Sequence, residues 1–214
     1  MKFTEFKFGN ELQEGLDMMG FEQATPIQEQ AIPIIQKGRD LIACAQTGTG
    51  KTAAFVLPIL DKLTKTHQGN KVNTIIIAPT RELANQVSQE INSLQGETGL
   101  KILTVYGGTD LEKQARKLQD GVDIIVGTPG RVMDMTRREF IDLTSPSIFC
   151  LDEGDRMLDM GFFPDIMWII ERMTSREQTL LFSATFPQEI IDAANEFMNE
   201  PEFILTNSEE LDIP

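Results

Sequence analysis

The segment Ala45-Gln46-Thr47-Gly48-Thr49-Gly50-Lys51-Thr52 has the residue types needed to hold a triphosphate, and it directly follows the apolar run Leu41-Ile42-Ala43-Cys44. Closely spaced glycines let backbone N–H groups turn inward around phosphate oxygens. Lys51 can reach the β- and γ-phosphates, and the Thr52 hydroxyl can ligate Mg²⁺. A helix opening at Lys51 aims the positive end of its dipole at the same anion. The order is that of G-x-x-x-x-G-K-[ST], with Ala45 at the first glycine position. These residues predict a nucleotide site.

Such a loop needs partners for the metal and for an attacking water. Asp152-Glu153-Gly154-Asp155 follows the apolar run Ile148-Phe149-Cys150-Leu151. Carboxylates at the C-terminal end of a parallel strand lie in the crevice where ligands bind in open α/β sheets. Asp152 is placed to hold Mg²⁺ through water, and Glu153 to orient or deprotonate the water that attacks the γ-phosphate. Taken alone, the same acids suit a plain helix N-terminus. Beside a phosphate loop, metal and water chemistry is the stronger reading.

The elements that position these groups alternate. β-branched runs occur at 40–45, 74–78, 102–106, 123–127, 148–151 and 180–183, separated by helical patterns at 10–19, 27–37, 51–66, 81–95, 110–119, 154–159, 164–174 and 187–199. Near-continuous apolar strands separated by helices imply a parallel sheet covered on both faces. Pro33 and Pro58 interrupt two helical patterns and predict kinks or shortening, although Pro58 follows two turns already formed. Three further strand ends run into turns that can present backbone N–H groups to a phosphate, Pro79-Thr80-Arg81 and Thr128-Pro129-Gly130-Arg131 each with a cation and Tyr106-Gly107-Gly108 without one, although each alone also suits a plain strand-to-helix turn.

Bulk properties bound the rest. A length of 214 residues, 41% hydrophobic and 24% charged, suits one soluble α/β domain with a full core. No apolar run approaches the ~20 residues that cross a bilayer, and the start Met1-Lys2-Phe3-Thr4-Glu5 has no signal-peptide core. A cytoplasmic protein with no membrane partner is expected. Cys44 and Cys150 sit in apolar runs and read as reduced core residues, since two thiols make no zinc site. His67 is the only histidine and lies in a polar stretch, which argues against a Ser-His-Asp or Cys-His hydrolase. The net charge of −14 argues against a nucleic-acid partner at first sight. Its distribution weakens the objection, so that charge neither supports nor excludes RNA or DNA: residues 37–186 hold 19 acidic and 17 basic side chains, whereas 187–214 hold eight acidic and none basic.

Read together, these motifs resemble the N-terminal, RecA-like half of a DEAD-box RNA helicase, over nearly the whole chain from Phe3 to Thr206. The fold implied is a RecA-like P-loop domain with a mainly parallel, seven-stranded sheet and helices on both faces. Residues 1–206 would form the ATP-binding domain, 1–38 its adenine-reading extension, and 207–214 the start of a linker to a second RecA-like domain that these 214 residues do not include. Gly20-Phe21-Glu22-Gln23-Ala24-Thr25-Pro26-Ile27-Gln28 matches the family's adenine-reading segment. The resemblance therefore assigns Thr25 and Gln28 to the nucleotide, with the Gln28 amide on the adenine edge. Phe3 matches an upstream aromatic that packs on the base, although on its own it reads equally as core.

Gln46, Thr47, Gly48, Thr49, Gly50, Lys51 and Thr52 would bind ATP, with Thr52 and Asp152 at Mg²⁺ and Lys51, Asp152 and Glu153 catalytic. Pro79, Thr80, Arg81, Gly108, Thr128, Pro129, Gly130 and Arg131 would grip an RNA backbone without reading sequence. Ser183-Ala184-Thr185 matches the segment that couples hydrolysis to strand separation, through hydroxyl bonds from Ser183 and Thr185 to Asp155. The activity implied is ATP-driven remodelling of short RNA duplexes by a monomer. The second domain supplies arginine fingers, so this half alone is expected to turn over slowly or not at all.

The namesake Asp-Glu-Ala-Asp reads Asp-Glu-Gly-Asp here, with Gly154 costing roughly 0.5–1 kcal/mol relative to alanine in a helical turn. Two other readings stay open: a nucleotide-gated binding module without turnover, and a DNA-directed P-loop motor.

Overall fold

The computed structural model describes residues 1–66 and 71–206. The readings of His67 and of the linker 207–214 lie outside the described residues. Among the described residues seven strands form one sheet: β1 Leu41–Cys44, β2 Thr74–Ile77, β3 Ile102–Val105, β4 Ile124–Gly127, β5 Ile148–Leu151, β6 Gln178–Ser183 and β7 Glu202–Leu205. Their order is β3-β4-β2-β5-β6-β1-β7. Every neighbouring pair is parallel, as the alternation of apolar runs and helices requires.

Alternation along each strand divides the core into two layers. Leu41, Ala43, Ile76, Cys150, Leu180 and Phe182 face one layer with α1 (Asn10–Met18), α2 (Pro26–Gln36), α3 (Lys51–Thr66) and α4 (Arg81–Gln95). Ile42, Ile75, Ile77, Phe149, Leu151 and Leu181 face the other, with α6 (Pro129–Arg137), α7 (Gly154–Asp159), α8 (Phe163–Arg172) and α9 (Gln188–Phe197). Helix α5 (Leu111–Gln119) flanks the edge strand β3. Burial on both faces is why the central strands read as continuous Val/Ile/Leu runs.

Helices α2 and α3 run unbroken through Pro33 and Pro58. The proline cost is offset by burial: α3 is buried at every position from Ala53 to Asp61. Two elements lay outside the predicted runs. Strand β7 carries the short apolar run Phe203-Ile204-Leu205 but buries only Ile204 of its four residues. A 3₁₀ turn at Phe3–Phe6 packs its two phenylalanines into the core.

Strand β6 lies between β1 and β5, with Leu180 beside Cys150 and Ser183 beside Cys44. The two cysteines are therefore separated by a whole strand, and both are free thiols. The strand order brings two sets of strand ends together along one edge of the sheet. β1, β6 and β5 end beside the glycine-rich loop and the acids, while β2, β4 and β3 end in the turns that carry Arg81, Arg131 and Gly108.

Candidate active site

The loop between β1 and α3 leaves the sheet with Ala45 N–H donating to the Ser183 carbonyl at 3.0 Å. Gly48 and Gly50 adopt φ of +86° and +84°, a region that side chains avoid. A Cβ on Gly50 would lie 2.5 Å from Gln28 Nε2, whereas one on Gly48 would meet nothing within 4 Å. One glycine thus permits a tight approach of α2, and the other faces open space. Lys51 and Thr52 open α3, at the positive end of a 16-residue helix.

The acids arrive from the neighbouring part of the sheet. Asp152 follows β5, and Glu153 turns the chain into α7 in a left-handed conformation, φ 62° and ψ 51°. That strained position swings its carboxylate back towards the loop. Lys51 Nζ lies 2.9 Å from Asp152 Oδ1 and 2.6 Å from Glu153 Oε1. Thr47 Oγ1 donates to Glu153 Oε1 at 3.2 Å. All three ionised groups are buried: Lys51 is 5% exposed, Asp152 2% and Glu153 6%. Burial pulls the Lys51 ammonium down, but Asp152 and Glu153 outweigh it and hold its pKa above the ordinary value. Burial pushes the Asp152 carboxyl up, and Lys51 opposes the push.

These groups line a cavity of about 200 Å³ with Thr47, Gly48, Gly50, Thr52 and four residues of α4: Leu83, Gln86, Val87 and Glu90. The α4 residues were missed in the sequence. Their spacing of three and four is the apolar stripe of a core helix, and the carboxylate of Glu90 within that stripe was the available signal. Burial pushes the Glu90 carboxyl up, a hydrogen bond with Thr52 opposes this, and Asp152 adds to the rise.

The donor set suits a Mg²⁺-triphosphate. Its oxygens are hard ligands, the Gly48 side of the loop is open, and Lys51 needs only to exchange carboxylates for phosphate. Thr52 and Asp152 would hold the metal. Among the described residues no three of His, Cys, Asp and Glu gather closely enough to hold a metal, so phosphate oxygens and waters must complete any shell.

Two residues assigned to the base also serve the fold. The Gln28 amide accepts from Thr25 N–H at 2.9 Å and donates to the Gly50 carbonyl at 3.1 Å, so it braces the phosphate loop against α2 while keeping a second N–H and a second lone pair for another partner. Phe3 is 1% exposed, with Phe6 and Phe21 edge-on to its ring at 5.7 and 5.3 Å. Of its two readings the structure favours core packing, because an apolar ring beside two others gains more buried than at an open cleft.

The segment after β6 closes a ring of bonds with α7. Asp155 N–H donates to Ser183 Oγ at 2.9 Å, Ser183 Oγ donates to the Thr185 carbonyl at 2.7 Å, and Thr185 Oγ1 donates to Asp155 Oδ2 at 3.0 Å. Of the two hydroxyls, that of Thr185 reaches the carboxylate, while that of Ser183 holds the Asp155 backbone.

The three turns at the ends of β2, β3 and β4 line one open trough of about 540 Å³ that includes Pro79, Thr80, Arg81, Tyr106, Gly107, Thr128, Pro129, Gly130 and Arg131. Thr80 caps α4 by accepting from Leu83 N–H at 3.3 Å. The Arg81 guanidinium lies over the Tyr106 ring, 4.7 Å from its centre. Gly107 rather than Gly108 faces the trough, and Gly108 supplies the φ of +83° that turns the chain. Arg131 is tied to carbonyls: Nε to Tyr106 O at 3.1 Å and Nη2 to Thr109 O at 3.0 Å. It therefore fixes the Tyr106–Thr109 turn while adding positive charge to the trough. Asp134 and Asp165, unforeseen in the sequence, also line the trough.

The family model for DEAD/DEAH box helicases matches residues 25–193. The chain is 46% identical over 210 residues to the ATP-dependent RNA helicase CshA of Listeria monocytogenes, covering 98% of this chain and 40% of that protein. It is 44% identical to the DEAD-box ATP-dependent RNA helicase CshA of Bacillus subtilis, covering 99% and 42% respectively. The chain thus spans about two fifths of the length of these relatives. Among solved structures, a DEAD box protein from Methanococcus jannaschii superposes with a TM-score of 0.92 at 38% identity, covering 98% of this chain and 57% of that one. A hypothetical ATP-dependent RNA helicase from Sulfolobus tokodaii gives 0.86 at 35% identity, covering 92% and 57%.

Proposed function

Because this chain belongs to the DEAD/DEAH box helicase family, we propose that it is the N-terminal, ATP-binding RecA-like half of an ATP-dependent RNA helicase. Residues 1–206 form that half, 1–38 being its adenine-reading extension, and 207–214 lead towards a second RecA-like domain. The observation that carries this reading is the meeting of Lys51 with Asp152 and Glu153 in one cavity, alongside a trough built from three neighbouring strand ends.

Mg²⁺-ATP supplies the bond whose cleavage drives the cycle. Around it, Lys51 leaves its two carboxylates and neutralises phosphate charge. Thr52 and Asp152 would hold Mg²⁺, which would neutralise charge on the phosphates. Glu153, released from Lys51, takes up the proton of the attacking water and orients it in line. RNA lies in the trough, where Arg81 and the Arg131-fixed turn meet its backbone and 2′-hydroxyls rather than its bases. The Ser183–Thr185 ring links Asp155, two residues after Glu153, to β6, and so transmits the state of the nucleotide site. The whole protein acts as a cytoplasmic monomer, in which the second domain adds arginine fingers and the other half of the RNA surface.

The test is phosphate release by the full-length protein with and without single-stranded RNA. Stimulation by RNA supports the proposal. Nucleotide binding with no turnover in either condition would favour a nucleotide-gated binding module, and preference for a deoxyribo-oligonucleotide would favour a DNA motor.

A further inference from the structure

We infer that the trough continues past Tyr106 into a second groove between α4 and α5, and that this groove holds the stretch of RNA strand that leaves the trough. The inference rests on the RNA-binding reading above and lengthens its footprint. The groove is a cavity of about 520 Å³ walled by Asn85 of α4, by Ile102, Thr104 and Tyr106 along β3, and by Lys113 and Lys117 of α5.

The two hollows share a wall. Tyr106 lines both of them. Arg81 and Asn85 stand one turn apart on the same face of α4, Arg81 in the trough and Asn85 in the groove. Strand β3 adds an open side: it is the end of the sheet, paired with β4 and with no strand beyond it among the described residues. Backbone groups along such an edge can meet sugar and phosphate oxygens without reading bases.

Charge selects the occupant. Lys113 and Lys117 are exposed, lie one turn apart on α5, and form no ion pair among the described residues. The acid on the groove wall, Asp110, is engaged as the cap of α5, accepting from Glu112 N–H at 3.0 Å and Lys113 N–H at 3.3 Å. In a chain of net charge −14, two unpaired cations in line with the trough mark the path of an anion. A strand already held at Arg81 delivers its next phosphates to these lysines as an intramolecular step, which favours RNA over a separate acidic peptide.

Titration of the full-length protein, with Mg²⁺ and a non-hydrolysable ATP analogue, against single-stranded oligouridylates of stepwise length tests this. The proteins compared are wild type, Lys113→Gln/Lys117→Gln and Lys113→Arg/Lys117→Arg. Strands that fill only the trough bind all three alike. With longer strands, wild type and the arginine variant go on gaining affinity, whereas the glutamine variant levels off. Its salt slope for those strands is lower by about 1.4, some 0.7 for each lost phosphate contact. The same length profile and salt slope in all three proteins would overturn the inference, and is the result expected of a groove that takes a protein segment along β3 instead. A loss of equal size at every length in the glutamine variant would also overturn it. Failure of wild type to bind RNA of any length would overturn the RNA-binding reading itself.

Discussion

Lys51 Nζ sits 2.6 Å from Glu153 Oε1, so the cation that would bind phosphate is held by the carboxylate that would activate water. Each blocks the other's chemistry until a triphosphate separates them. Because all the partners are buried, the same contact links nucleotide binding to the stability of the fold.

Lys51→Met therefore has two effects. It removes the phosphate cation, and it leaves Asp152 and Glu153 as uncompensated buried charges. Breaking a buried pair by removing one partner costs about 3–5 kcal/mol, or a fall in melting temperature of roughly 10 °C for a domain of this size. Calorimetry of the two proteins checks this; equal melting temperatures would contradict it.

The pH dependence has a definite sign. The Lys51 pKa is raised above its ordinary 10.5 in the fold. The stability it contributes is present in full below 10.5 and is lost as pH rises through the folded value. Asp152 is also raised, from 3.8, so its cost is present at neutral pH and is relieved as pH falls towards 3.8. The stability difference between wild type and Lys51→Met should narrow above pH 10.5, as measured by urea unfolding across pH.

Gly154→Ala restores the residue usual to the family motif. Alanine stabilises a helical turn by roughly 0.5–1 kcal/mol, but its Cβ falls 2.8 Å from Leu181 Cδ1. That methyl is the far end of a flexible side chain, so the two effects nearly cancel and stability moves by under about 1 kcal/mol. ATP binding is unchanged and turnover by the full-length protein alters modestly. A gain above about a hundredfold, equivalent to nearly 3 kcal/mol of barrier, would contradict this account of the site.

Arg81 and Arg131 should separate. Arg81→Gln removes an exposed cation over Tyr106, weakening RNA binding and its salt dependence, by about 0.7 in slope for one phosphate contact, with little change in stability. Arg131→Gln also releases the Tyr106 and Thr109 carbonyls, costing about 1.5–3 kcal/mol per charged bond. Melting curves set against RNA titrations at several salt concentrations distinguish the two. Equal stability losses would mean that Arg131 does not anchor the turn.

Thr185→Ala removes the one side-chain bond to the Asp155 carboxylate at an exposed position. Nucleotide affinity stays put, while duplex separation per ATP hydrolysed by the full-length protein falls. A parallel loss of ATP binding would place Thr185 in the nucleotide site instead.

Most of the fold was legible because the central strands are buried on both faces and so carry unbroken apolar runs. Strand β7 was not, because its apolar run, Phe203-Ile204-Leu205, is only three residues long and sits in an acidic C-terminal stretch. The phosphate loop and the acids after β5 were readable from local order. The α4 wall was not: Glu90 comes to Thr52 only through the packing of α4 on α3, 38 residues apart in sequence. Gln28 shows the opposite limit. Its place beside the loop was foreseen, but not that both ends of its amide would be used by Thr25 and Gly50.

The most direct test is calorimetric titration of this chain with ATP in the presence of Mg²⁺, for wild type and Lys51→Ala. Saturable binding by wild type, abolished in a Lys51→Ala protein that still folds, is the predicted result. Equal binding by both proteins, or none by wild type, would contradict a triphosphate site centred on residues 51, 152 and 153.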